Sequence, residues 1–107
     1  MNKNKLLLPV NPINFSVIIP NYNGASLLPD CLNSLIEAIK NSSNSKFEII
    51  FVDNGSVDDS LSKIKIFEDL LKIVNCSLKI IKNNTNYGFA MAVNLGIKKA
   101  KYSYVAI

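Results

Sequence analysis

FEIIFVDNGS, residues Phe47 to Ser56, is an apolar and β-branched run that stops at an acid and a turn. A half-exposed strand would alternate polar with apolar residues, so this run predicts a strand buried on both faces. Asp53 ends it. In an open α/β sheet ligands bind beyond the carboxyl ends of the strands, so a carboxylate at that edge is placed for recognition. Asn54, Gly55 and Ser56 turn the chain, and Ser56 with Asp59 three residues later has the form of a helix start.

Outward from this strand the chain alternates. Phe15–Pro20, FSVIIP, predicts a first strand that Pro20 ends, because proline cannot donate to a ladder. Asn21 to Gly24 make the loop after it. Leu28, Cys31, Leu32, Leu35, Ile36 and Ile39 fall on one helical stripe, with Pro29 tolerated in the first turn. A polar loop, Asn41 to Ser45, leads into the central strand. Beyond it, Leu61, Ile64, Phe67, Leu70 and Leu71 predict one further helix, with Asp58 and Asp59 in its first turn favouring the helix dipole by about 0.5 kcal/mol each. LKIIK, Leu78–Lys82, predicts a third strand. The loop NNTNYG, Asn83–Gly88, precedes a helix with Phe89, Ala92, Val93, Gly96, Ile97 and Ala100 on its packing face. YSYVAI, 102–107, begins a fourth strand. Residues 1–14 read as a tail or edge segment, and no internal repeat appears.

The order β-α-β-α-β-α-β predicts an α/β fold: a mostly parallel four-stranded sheet with right-handed crossovers and flanking helices. Ligand chemistry belongs in the loops after Pro20, Asp53 and Ile107. With 107 residues and 49% hydrophobic content, the chain suits one domain or part of one, and is short for a complete active site.

Composition narrows the function. The net charge of +4 comes from 12 cations, every one a lysine. They are spread along the chain, clustering only at Lys98, Lys99 and Lys101, and arginine forks for bases and phosphates are missing, so nucleic acid is not an expected partner. Cys31 and Cys76 form no CxxC pair, which predicts buried, reduced thiols and no zinc site. With no histidine, carboxylates and backbone groups must carry any chemistry. The apolar run Leu6–Val10 is too short to span a membrane and lacks a signal-peptide pattern. A cytoplasmic protein is expected, with peripheral attachment to a membrane left open.

The first strand-to-helix loop, PNYNGAS, is not G-x-G-x-x-G, and no phosphate-binding G-x-x-x-x-G-K-[ST] occurs. Tyr22, an aromatic ring at a strand end, can cover a base, and Asp53 can accept a base N–H or a ribose hydroxyl. Together they suit a nucleoside.

Three stretches, FSVIIPNYNG, EIIFVDNGSVDDS and NNTNYGFAMAVNLGIKKAKYSYVAI, resemble the successive signatures of the family 2 glycosyltransferases, over about Phe15 to Ile107. The segment Asn86–Gly96 is similar to members that transfer rhamnose and related sugars to bacterial polysaccharides. The resemblance implies a Rossmann-like GT-A fold, here its N-terminal, nucleotide-binding half, and transfer of a sugar from a nucleotide donor to a saccharide or lipid-linked acceptor. It implies that Pro20 and Tyr22 lie against the base and Asp53 at the nucleoside, with Asn54 where many members have a second acid. Gly88 is implied near ribose and diphosphate, and Asn94 on the helix face that the family pattern shares.

The family's metal-binding D-x-D is expected just after Ile107, so the Mg or Mn ion implied for a full-length enzyme has no ligands in this sequence. The general base of inverting members is expected still further on. An inverting displacement needs such a base and an electrophile for the departing diphosphate, so this truncated chain alone is expected to be inactive. Three readings stay open here: the donor-binding part of a glycosyltransferase, a non-catalytic nucleotide-binding or interaction fragment pairing with a separate second half, and an unrelated doubly wound domain.

Overall fold

The computed structural model describes residues 13–42 and 44–106. All but the last two residues of the expected tail, 1–14, therefore lie outside the described residues, as does Ile107. Four strands, β1 (Phe15–Asn21), β2 (Phe47–Asp53), β3 (Cys76–Lys82) and β4 (Tyr104–Ala106), form one sheet in the order β3-β2-β1-β4. Every pairing is parallel. A short 3-10 turn (Ala25–Leu27) leads into α1 (Leu28–Lys40); α2 (Ser60–Ile66) and α3 (Glu68–Ile73) join β2 to β3, and α4 (Phe89–Lys99) joins β3 to β4.

The central strand is buried as its sequence predicts: Glu48 through Asp53 are all shielded from solvent. Its two faces feed separate cores. Ile49 and Phe51 pack with Leu28, Leu32, Ile39, Ile64 and Leu71 from α1, α2 and α3. Ile50 and Val52 pack with Ile18 and with Ala92 from α4. Helices on both faces explain why β2 shows no polar alternation. Gly96 on α4 lets the helix approach β1, since a Cβ there would stand 2.5 Å from Ile18 Cγ2.

Several expectations are corrected. Pro20 does not end β1; the strand runs to Asn21, where Asn21 pairs in register with Asp53. The single helix expected after β2 is two, broken at Phe67, whose amide bonds Ile64 O in a tight turn (3.1 Å). It starts at Ser60, so Asp58 and Asp59 precede it and do not sit in its first turn. Cys31 is exposed, because its place on the α1 stripe lies at the edge of the buried face; Cys76 is buried, as expected. Phe89, placed on the packing face of α4, is instead 66% exposed: as the first helical residue it sits beyond the sheet that Ala92, Val93 and Gly96 cover.

The amino end of the sheet is closed by a polar knot. Glu48 is 2% exposed and its Oε2 accepts from Ser16 Oγ at 2.6 Å and from Lys101 N at 2.7 Å. Ser16 Oγ in turn accepts from Tyr102 N at 3.2 Å. These bonds seat the connection from α4 to β4.

Candidate functional site

At the carboxyl end of the sheet, β1 and β2 finish side by side and their loops interlock. Asp53, 1% exposed, accepts from Asn21 Nδ2 (3.0 Å) and Ser56 Oγ (2.6 Å) on one oxygen, and from Ser56 N (3.0 Å) on the other. Ser56 Oγ also accepts from Asn21 Nδ2 (3.1 Å) and Asn23 N (2.8 Å). Asn23 Oδ1 returns the link by accepting from Val57 N at 2.8 Å. Ser56 therefore binds the two loops together and does not cap a helix. Gly55 has φ +84°, and a Cβ there would meet the Thr85 backbone at 2.9 Å, so only glycine lets this turn pass under the third loop.

Asp58 performs a similar service one step out. It accepts from Ala25 N (3.0 Å), Ser60 N (3.0 Å) and Ser60 Oγ (2.5 Å), joining the start of the 3-10 turn to the start of α2. The Ser60 hydroxyl, helped by those amides, lowers its pKa against a smaller opposing effect of burial.

Asn54, 4% exposed, governs the third loop. Its Nδ2 donates to Gly88 O at 3.0 Å, and its Oδ1 accepts from Asn83 Nδ2 (3.0 Å) and Tyr87 N (3.4 Å). Gly88, with φ +93°, then opens α4, and its carbonyl accepts from Ala92 N. Asn86 Oδ1 accepts from Gly88 N at 2.8 Å.

These loops enclose a cleft of about 180 Å³ lined by Pro20, Asn21, Tyr22, Asn54, Asn86 and Phe89. Three of the residues expected from the sequence, Pro20, Tyr22 and Asn54, meet there. Asp53 lies behind Asn21, turned into the protein. Gly88 touches the cleft only through its bond to Asn54, and Asn94 is exposed on α4 outside the lining. Asn21, Asn86 and Phe89 were not singled out for the site. Asn21 was legible only once it was known to pair with Asp53, and Phe89 only once its ring was seen outside the core.

The cleft offers carboxamides that can donate and accept, and rings of Tyr22 and Phe89 that are 51% and 66% exposed. It carries no charged lining residue, and is smaller than the roughly 300–1,000 Å³ that encloses a drug-sized ligand, so it suits one planar portion of a ligand. A larger groove of about 500 Å³ between β1 and α1 is nearly all apolar and lacks such convergent polar groups. As for a divalent cation, no group of three or more His, Cys, Asp or Glu is gathered among the described residues, and Asp53 and Asp58 are committed to the donors above. The described residues do not fit a metal centre.

The sequence pattern of glycosyl transferase family 2 matches residues 16–107. The chain belongs to glycosyl transferase family 2. This family 2 chain is 32% identical over 102 residues to a chondroitin synthase of Pasteurella multocida, covering 92% of itself and 10% of that protein. It is 37% identical over 86 residues to a PGL/p-HBAD biosynthesis glycosyltransferase of Mycobacterium bovis, covering 80% of itself and 30% of the relative. The chain thus spans between a tenth and three tenths of the relatives' lengths. Among solved structures, TarS of S. aureus superposes with a TM-score of 0.73 at 30% identity, over 87% of this chain and 16% of that one. A mannosyltransferase of Pyrobaculum calidifontis, solved in complex with GDP-Man and Mn2+, superposes with a TM-score of 0.77 at 24% identity, over 91% and 27%, and shows a shared fold. The architecture, an all-parallel sheet with flanking helices, is that of the GT-A glycosyltransferases. No helix among the described residues is long and apolar enough to cross a membrane.

Proposed function

We propose that this family 2 chain is the nucleotide-sugar-binding part of a glycosyltransferase that moves a sugar from a nucleoside-diphosphate donor to a saccharide or lipid-linked acceptor. The observation that carries the reading is the cleft at the carboxyl ends of β1 and β2, walled by Tyr22 and Phe89 and lined by Asn21, Asn54 and Asn86. Its uncharged, amide-rich lining matches a base, with the rings offering stacking faces. Pro20, Tyr22 and Asn54 contact the base in this reading. Asp53 supports them from behind, through Asn21 and Ser56. Gly88 and Asn94 mark the direction of ribose and diphosphate along α4.

The donor class draws support from the Pyrobaculum mannosyltransferase, solved with GDP-Man, and from relatives named as glycosyltransferases. In a complete enzyme a Mg or Mn ion, and the general base of an inverting reaction, would be supplied by groups other than the described residues. Sugar transfer by the 107-residue chain alone is therefore not expected, and the protein is assigned to the cytoplasm or its membrane face. A second reading, an interaction fragment that pairs with a separate second half, draws on β4, which lies at the edge of the sheet with Tyr104 and Val105 exposed.

Titration of the chain with UDP, GDP and TDP, followed by NMR chemical shifts, tests the proposal. Saturable shifts at Tyr22, Asn54 and Phe89 with one of the three are expected. No shift at these residues with any of them would overturn it, and a dimer on size-exclusion in that case would favour the second reading.

A further inference from the structure

Asn54 meets three different groups of one loop: the carbonyl of Gly88, the side-chain amide of Asn83 and the backbone amide of Tyr87. It is buried at the end of the most buried strand, whereas Asn86 on the loop it holds and Phe89, the first residue of α4, are exposed and line the same cleft as Tyr22. The bond to Gly88 O requires a donor, and a carboxylate at residue 54 could accept from Asn83 and Tyr87 but would oppose the Gly88 carbonyl.

We infer that Asn54 is a positioning residue whose neutral amide clamps the Asn83–Gly88 loop to the end of β2 and so sets the gap between Phe89 and Tyr22. The gap is a specificity determinant: it selects which planar ring enters, a consequence that rests on the nucleotide reading above. The clamp itself rests only on the hydrogen bonds.

The isosteric variant Asn54→Asp keeps both acceptor roles and loses the donor while its carboxyl is ionised. Amide hydrogen exchange on the whole chain reads the result, corrected for intrinsic rates, with wild type at the same two pH values as the control for every other acid. At pH 7 the variant should lose roughly tenfold protection at Tyr87, Gly88 and Ala92, the scale of one hydrogen bond, while β2 amides stay protected. At about pH 3, below the ordinary aspartate range, the protonated carboxyl can donate again and protection should return, which a purely steric defect would not do. Protection equal to wild type at pH 7, or a loss that about pH 3 leaves in place, overturns the clamp. Should Asn54→Asp not fold, Asn83→Ala removes one partner from the loop side; a smaller loss at the same amides supports the clamp and unchanged protection refutes it. UDP and GDP titrations of both proteins separate the two ideas. If wild type binds neither, the nucleotide reading fails and hydrogen exchange still decides the clamp.

Discussion

β2 carries a buried carboxylate at each end, and the two do different work. Asp53, at the carboxyl end, takes three hydrogen bonds, one from the last residue of β1 and two from Ser56 in the loop after β2, beside a cleft that Asn21 and Asn54 line. Glu48, at the amino end, takes two from groups that seal the return of the chain into β4. Exposure does not distinguish them, at 1% and 2%. What does is the direction of the sheet: in a parallel sheet the loops at the carboxyl ends diverge to opposite faces and leave a crevice. α1, α2 and α3 leave toward one face and α4 starts toward the other, so the crevice opens beside Asp53.

The contrast is broken most forcefully at Asp53. Asp53→Ala strands the Asn21 amide and both Ser56 donors, and is expected to cost about 3 kcal/mol in urea unfolding together with the entire nucleotide response. A variant whose shifts on nucleotide addition match wild type would remove Asp53 from the site. Glu48→Ala should cost about 2 kcal/mol, by orphaning Ser16 Oγ and Lys101 N, yet leave nucleotide affinity as it was. A matching drop in affinity would mean that the two ends are coupled and that the contrast is false.

Tyr22→Ala separates binding from folding in the other direction. Half-exposed, it should leave unfolding unchanged while weakening nucleotide binding roughly tenfold, the worth of one stacked ring. Calorimetry showing unaltered affinity would move the base elsewhere in the cleft. The smallest effect belongs to the thiols. Burial, reinforced by nearby Glu48, pushes Cys76 up to about 11 from an ordinary value near 9.0. The folded thiol keeps its proton where the unfolded one has lost it, so this contribution is complete below pH 9 and fades as pH rises toward 11. Cys76→Ser should flatten that decline in thermal unfolding. In native protein iodoacetamide should label Cys31 and spare Cys76, and equal labelling would show that the amino end opens.

Much of this was legible beforehand for a local reason. The run FEIIFVD has no polar alternation, so it had to be covered on both sides, and Leu28, Leu32 and Ile39 could share a buried face only on a helix. The site was legible in part. Tyr22 and Asn54 lie next to strand ends that composition marks, whereas Asn21 was assigned to a loop and Phe89 to a core. Both were misplaced because their surroundings come from register and from the far side of the sheet, which no window of neighbouring residues contains. The helix after β2 was drawn whole because its apolar spacing continues through Phe67, where the backbone nonetheless turns.

Sequence alone determined the alternation of strands and helices, the buried strand at its centre, and the family, since these rest on spacing within a few residues and on ordered motifs. Only the tertiary structure decided what the polar residues at the strand ends do. Asp53 faces Asn21 because β1 and β2 run in register, and Asn54 grips Gly88 because α4 begins where the third loop passes over Gly55. Such bonds link residues more than twenty-five positions apart, and the free energy that selects them appears only when the buried groups have no other partner.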